Sequence, residues 1–191
     1  MTTLAIDTSS ARGSVALGEN EITFERGNLF SVLPAGHFDE IVVGVGPGSF
    51  TGIRAGIAAA KGLALPRGLP VRAACSFDAI ALAALPAMAR DCPQLCVIGD
   101  ARRDEIYFAF YDRQGRRSGD CRLGALENLE IHNPIWFVSS EIEKYREALK
   151  ECFGGFATVC DEPVFPRAAL LRPESLPLEP IYLRAAQYKM M

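Results

Sequence analysis

Gly44-Val45-Gly46-Pro47-Gly48-Ser49-Phe50-Thr51-Gly52-Ile53-Arg54-Ala55-Gly56 joins an apolar run, Ile41-Val42-Val43, to an alanine-rich segment that ends near Leu65. An apolar run, a glycine-dense turn and a small-residue segment predict a strand over 41–45 that feeds a helix over 50–65 through a tight loop. Gly46 and Gly48 permit positive φ or close backbone approach, and Pro47 fixes φ between them. Ser49 and Thr51 are both suited to cap the helix. Such a loop points free N–H groups outward at a helix start, where an anion is favoured, which makes Gly46, Gly48, Ser49 and Thr51 candidate phosphate contacts. It is not a Walker A loop, because no Gly-Lys-Ser/Thr closes it.

The N-terminus carries a second signal. Leu4-Ala5-Ile6-Asp7-Thr8-Ser9-Ser10 runs through Arg12-Gly13 into Ser14-Val15-Ala16-Leu17-Gly18 and then Glu21-Ile22-Thr23-Phe24-Glu25. Three short strands joined by tight turns follow from that pattern. A similar opening recurs in the second half: Leu95-Cys96-Val97-Ile98-Gly99-Asp100 again ends in an aspartate, and Ile106-Tyr107-Phe108-Ala109-Phe110-Tyr111 supplies an antiparallel partner. Asp91-Cys92-Pro93 marks the boundary between an N-terminal lobe over 1–93 and a C-terminal lobe over 94–191.

Four ordered stretches carry a resemblance to the TsaB (YeaZ) family. They are Ile6-Asp7-Thr8-Ser9, the loop from Gly46 to Arg54, Gly99-Asp100-Ala101-Arg102 with Glu105-Ile106-Tyr107, and Glu179-Pro180-Ile181-Tyr182-Leu183-Arg184. The resemblance implies an α/β fold of two duplicated ribonuclease-H-like lobes of the actin-like ATPase superfamily. Each lobe would have a mixed sheet with an antiparallel meander and packed helices; periodicity alone supports only mixed α/β. It also implies a non-catalytic accessory subunit of tRNA threonylcarbamoyladenosine synthesis. Such a subunit binds a catalytic TsaD-type partner, works alongside a TsaE-type ATPase and meets tRNA through the complex. No cofactor is expected of the chain itself, a partner interface being the one place where ATP or ADP could meet it, and monomer and homodimer both stay open.

Composition fits that picture. The chain has 191 residues, 49% of them hydrophobic and 23% charged, with a net charge of -3, which argues against broad nucleic-acid binding by this chain alone. No apolar run reaches the roughly 20 residues that span a bilayer, and no secretory leader pattern opens the sequence, so a cytoplasmic location is expected. The six cysteines (Cys75, Cys92, Cys96, Cys121, Cys152 and Cys160) lack redox or zinc-knuckle spacing, and most sit among apolar neighbours and read as buried reduced thiols.

Along the rest of the chain, 71–75 reads as a strand and Ser76 as the cap of an apolar helix over 77–85. Further strands are expected near 121–123, over 135–139 and over 156–160, with Ser140 capping an amphipathic helix over 141–152. Relatives place an amphipathic helix between the third and fourth strands. Here only Leu29-Phe30-Ser31-Val32-Leu33-Pro34 remains, and Pro34 ends any helix there. Two turns of helix over 165–171 are the most that Pro173, Pro177 and Pro180 allow after the last strand.

No residue is assigned a catalytic or metal-ligating role. The catalytic relatives use a His-x-x-x-His pair, whereas His37 and His132 are far apart and neither has a second histidine nearby. Asp7 and Asp100 sit where superfamily ATPases hold magnesium phosphates, so Asp7, Thr8 and Ser9 join the candidate nucleotide contacts. The rival reading has both aspartates capping turns. A small ATPase or phosphotransferase is the alternative function, and a peptidase a weaker one. On the predicted helix, Ile53 and Ile57 with Ala60 form one stripe and Arg54, Ala58 and Lys61 the next. Ile53, Arg54, Ile57, Ala58 and Lys61 are the candidate partner contacts, against the plainer reading that the helix only packs on its own sheet.

Overall fold

Strand β1 (Thr3–Asp7) forms the middle of a sheet that the sequence builds outward in both directions. On one side β2 (Arg12–Leu17) and β3 (Asn20–Glu25) fold back as an antiparallel meander, with Ala5 opposite Ala16 and Val15 opposite Ile22. On the other side β4 (Glu40–Gly44) pairs parallel to β1, and β5 (Val71–Ala74) pairs parallel to β4. The strand order is β3-β2-β1-β4-β5. The structure, a computed structural model, describes residues 1–25 and 27–183, so Arg184 of the closing motif and the tail beyond it lie outside the described residues.

The same plan is executed a second time. β6 (Gln94–Arg102) is central, β7 (Glu105–Asp112) and β8 (Arg122–Ala125) form the meander, and β9 (Ile135–Val138) and β10 (Ala157–Val159) add parallel strands. The order β10-β9-β6-β7-β8 repeats that of the first sheet. The fold is therefore the duplicated α/β arrangement expected from the sequence. Parallel neighbours require crossovers, and helices supply them: α1 (Phe50–Ala64) links β4 to β5, and α3 (Arg146–Phe153) links β9 to β10.

Burial explains why the parallel strands read as unbroken apolar runs. All five β4 residues are buried, because α1 covers one face of the first sheet and other segments cover its second face. Leu4, Ile6, Ile41 and Val43 pack under Ile53, Ile57 and Ala60 of α1. On the opposite face, Ala5, Ala16 and Val42 meet Ala79 of α2 (Ser76–Ala84) together with Ala168 and Leu171. The helix α2 also contributes Phe77, Ile80 and Ala84 to the core under the second sheet, among Leu95, Val97 and Phe137. Its nearly all-apolar sequence is the consequence of packing on both lobes.

After β10 the chain returns to the first lobe. Ser14 Oγ donates to the Pro166 carbonyl at 3.0 Å and accepts from Ala168 N–H at 2.8 Å, and Arg167 pairs with Glu21 at 2.7 Å. Ile181 N–H reaches the Val45 carbonyl at 2.9 Å. Only a 3-10 turn over Ala168–Leu170 forms where two helical turns were expected.

Three local expectations need correcting. Ser76 is the first residue of α2 and makes no cap bond; its hydroxyl instead accepts Gly46 N–H at 3.1 Å and so ties down the glycine loop. Ser140 does not cap either, because Ser139 Oγ takes Glu141 N–H at 3.0 Å. The single helix expected over 141–152 is split into a 3-10 turn over Ile142–Lys144 and the later α3. Between β3 and β4 only a 3-10 turn over Leu29–Ser31 is present, in line with the shortened connector. Among the described residues, no helix is long and apolar enough to cross a membrane.

Candidate functional site: an interlobe cleft and an exposed helix face

The loop between β4 and α1 is clamped onto the residues that follow β1. Ser49 N–H donates to the Ser9 carbonyl at 2.6 Å, and Ser49 Oγ accepts Gly52 N–H at 3.3 Å, the cap expected of it. Gly48 has φ 150°, and a Cβ there would overlap the same Ser9 carbonyl, so glycine is required for this close approach. The Gly46–Pro47 bond is cis. Thr51 lies inside the first turn of α1 and is not its cap.

A cleft of about 310 Å³ opens between the lobes at this point. Ser9, Ser10, Gly48, Ser49 and Thr51 line one wall, Asp100, Arg102, Tyr107, Ser140 and Glu141 the other, and Phe77 and Ile80 are also in its lining. Of the candidate phosphate contacts, Ser9, Gly48, Ser49 and Thr51 are thus gathered on one wall. Asp7, Thr8 and Gly46 are not part of that lining.

Asp7 is sealed off. It is 0% exposed, its Oδ1 accepts Ser9 N–H at 2.8 Å and Ser9 Oγ–H at 2.7 Å, and a Cβ on Gly44 would overlap its Oδ2. Oδ2 has no partner in hydrogen-bond geometry, although the Ser76 hydroxyl is close enough to favour the charged form. Burial outweighs these bonds and pushes the carboxyl above its usual range. A carboxylate so placed organises the turn after β1 and cannot reach a ligand in the cleft. The turn-capping reading therefore holds for Asp7, and its assignment as a nucleotide contact is corrected.

Asp100, its counterpart at the end of β6, is the cleft's partly accessible carboxylate. Burial opposes its ionisation, but Lys144 at 2.8 Å and the Arg102 N–H at 2.8 Å prevail and hold the carboxyl below its usual range. Its charge is thus already matched by protein cations. The hairpin tip beside it, Arg102-Arg103-Asp104, has three consecutive positive φ angles of 63°, 58° and 59°. Each side chain held there costs on the order of 1 kcal/mol, so the basic rim of the cleft is conformationally strained. Among the described residues no group of three or more His, Cys, Asp or Glu side chains could hold a metal ion. His37 is exposed and paired with Asp39 at 3.0 Å, and His132 is exposed as well.

Behind the cleft, Arg117 joins three segments. It donates to Asp78 on α2 at 2.7 Å and to Glu174 of the returning segment at 2.8 Å, and Tyr111 OH donates to Asp78 at 2.8 Å. Burial and the adjacent Glu174 carboxyl push the Asp78 carboxyl up to about 6. A raised carboxyl pKa in the folded state means that this group's stabilisation is full below the unfolded value and is lost as pH rises through about 6. Between pH 7 and pH 5 the protein should therefore gain on the order of 1 kcal/mol relative to an Asp78→Asn variant. Urea unfolding of both proteins at the two pH values measures it, and equal pH dependence would show that Asp78 is ordinary.

The outer face of α1 is the other candidate. Ile53 and Ile57 are 2% and 6% exposed and belong to the first core, so their assignment as partner contacts is corrected. Gly52 and Gly56 face inward too, where Cβ atoms would overlap the Thr8 carbonyl and the Thr8 hydroxyl. The outward stripe is Thr51, Arg54, Ala55, Ala58, Lys61, Gly62 and Leu65. Arg54 covers the Phe50 ring at 3.7 Å and donates to Tyr182 OH at 2.9 Å. Beside this stripe an apolar pocket of about 150 Å³ opens between Phe24, Leu29, Phe30 and Ala55, and Phe30 is 74% exposed. Sequence reasoning did not single out Phe24, Leu29, Phe30 or Ala55. The available signal was an aromatic residue in a connector too short to bury it.

Comparisons with known proteins point to those of tRNA threonylcarbamoyladenosine biosynthesis. The family model for TsaD, tRNA N6-adenosine threonylcarbamoyltransferase, matches residues 31–152. An uncharacterized protein of Mycobacterium leprae is 32% identical over 158 residues, covering 79% of this chain but only 39% of the relative's length. The chain thus spans well under half of that larger protein. The Bacillus subtilis tRNA threonylcarbamoyladenosine biosynthesis protein TsaB is 32% identical over 182 residues, covering 81% of this chain and 77% of that protein. Among solved structures, YeaZ from Pseudomonas aeruginosa superposes with a TM-score of 0.71 at 24% identity, over 88% of this chain and 87% of that one.

Proposed function

The chain belongs to the TsaB (YeaZ) family, and on that premise we propose that it is an accessory subunit in the synthesis of threonylcarbamoyladenosine in tRNA. In this reading it binds and stabilises a TsaD-type catalytic subunit, works alongside a TsaE-type ATPase, and contacts tRNA mainly through the assembled complex. It contributes apolar area and a fixed shape to the complex, and the acid–base groups come from its partner.

The observation that carries the reading is the outward face of α1. Ala55, Ala58 and Gly62 leave the helix backbone open to close approach, and the stripe runs into the apolar pocket beneath exposed Phe30. A contiguous exposed apolar patch rimmed by polar residues is a feature of protein-binding surfaces. The shortened connector over 29–34, with only a 3-10 turn at Leu29–Ser31, supplies no helix to cover that face.

The test is complex formation with purified components. The full chain mixed with its own organism's TsaD-type subunit should elute as a stable complex in size exclusion, and the chain alone should hydrolyse no ATP. ATP turnover by the pure chain on the order of 1 per second, the low end for enzymes, with no complex formed, would replace this reading by the small-ATPase alternative. Against that alternative stands the sealed Asp7, which cannot face a phosphate in the cleft.

A further inference from the structure

Two of the six cysteines meet across the joint between the lobes. Cys75, between β5 and α2, is 0% exposed, and Cys121, immediately before β8, is 8% exposed. They lie 46 positions apart in sequence, yet their sulfurs approach to 3.7 Å, and all six cysteines are free thiols. We propose that Cys75 and Cys121 form a reversible disulfide by exchange with a low-molecular-weight disulfide of the glutathione type, tying the β5–α2 junction of the first lobe to the β7–β8 connection of the second.

The geometry places the pair for it. A disulfide needs sulfurs at about 2.05 Å, so the pair must close by roughly 1.7 Å. Cys121 lies on a connecting segment and Cys75 at a helix start, and neither is locked in the middle of a ladder. The hydrogen bond between the sulfurs, with burial, pushes the Cys75 thiol well up, so the closed pair carries little thiolate and reacts slowly. Exchange then follows opening of the 113–121 connection, which Arg117 pins to Asp78 and Glu174.

The steps balance. Cys121, the more accessible thiol, loses its proton and attacks one sulfur of the small disulfide. That S–S bond breaks, and the small thiolate that leaves takes up a proton. Cys75 then loses its proton and attacks Cys121 Sγ, expelling the second small thiolate, which is protonated in turn. Two protein thiols are oxidised and one small disulfide is reduced to two thiols.

The bland alternative is that both cysteines merely fill the core as small hydrophobes. The experiment uses the full chain carrying Cys152→Ser, which removes the exposed thiol, incubated natively with oxidised glutathione. Peptide mapping without reductant should then show Cys75 joined to Cys121, with two fewer thiols alkylated after denaturation. The unfolding midpoint should rise by about 5–15 °C and fall back with a reductant, as expected for a bond closing a loop of this length in a chain of this size. Adding Cys121→Ser, or Cys121→Ala if the serine variant fails to fold, should abolish both effects. Full alkylation of both thiols, a glutathione adduct that never resolves, or a link that lowers the midpoint would each overturn the proposal.

Discussion

Replacing Gly52 with alanine should destabilise the protein by about 2 kcal/mol or more, although alanine is the better helix former. Propensity alone predicts a gain of about 1 kcal/mol for the exchange inside α1. The site decides otherwise, because a Cβ on Gly52 would overlap the carbonyl oxygen of Thr8, a backbone atom at the end of β1. That carbonyl cannot swing aside as a side chain would. Thr8 Oγ1 also donates to the Gly52 carbonyl at 2.7 Å, and Ser49 N–H holds Ser9 at 2.6 Å, so the two segments are pinned at both ends of the contact. Relieving the overlap must lift α1 from the sheet and loosen Ile53 and Ile57 in the core, the kind of overpacking that costs about 1–3 kcal/mol before any lost hydrogen bond is counted. Gly62 provides the control on the same helix, since a Cβ there meets open space. Gly62→Ala should stabilise by up to about 1 kcal/mol. Thermal unfolding should show midpoints moving in opposite directions, down by about 4–8 °C for Gly52→Ala and up by about 2–4 °C for Gly62→Ala. Midpoints that move together would mean that α1 does not sit on β1 as described.

That contrast also marks how far the sequence could be read. The strand, loop and helix around Pro47 were legible because their signals are local: an apolar run, glycines at a turn, a serine at a helix start. The duplication was legible for the same reason, since each lobe opens with a strand ending in aspartate followed by an antiparallel partner. Environments were not legible. Asp7 and Asp100 look alike in sequence, yet Gly44 and Ser76 close over the first, while Lys144 and Arg102 neutralise the second at the cleft edge. Ile57 and Ala58 are neighbours on α1, and periodicity names two adjacent stripes without saying which one the sheet takes. Nor does the sequence say what the glycines on α1 face: Thr8, 44 positions away from Gly52, packs against Gly52 and Gly56. The contact between Cys75 and Cys121 is of the same kind, set by how α2 lies between the two sheets.

Ala58→Glu should leave the free protein folded and weaken the proposed complex with a TsaD-type subunit by about a hundredfold. Ala58 is exposed at the centre of the outward stripe, with Arg54, Ala55, Lys61 and Gly62 as its neighbours one turn away. Substitutions at such positions usually change stability by less than about 0.5 kcal/mol. Glutamate there even gains a helical partner in Lys61 three residues after it, worth a few tenths of a kcal/mol. In the complex the same side chain would be buried where the alanine methyl permits close approach. A charge buried without a full partner costs several kcal/mol, and about 3 kcal/mol corresponds to roughly a hundredfold in Kd. Because Arg54 is already engaged with Phe50 and Tyr182, it is not free to follow the new carboxylate into the interface. Phe30→Ala tests the other end of the surface: it removes an aromatic ring that is 74% exposed in the free protein, so any loss of affinity reports on the partner and not on the core. Titration calorimetry of both variants against the TsaD-type subunit measures the effect, with circular dichroism to confirm the fold. If both variants fold and bind at full affinity, the docking face lies elsewhere on the molecule. If only Ala58→Glu loses affinity, the partner sits over α1 and not over the pocket beneath Phe30.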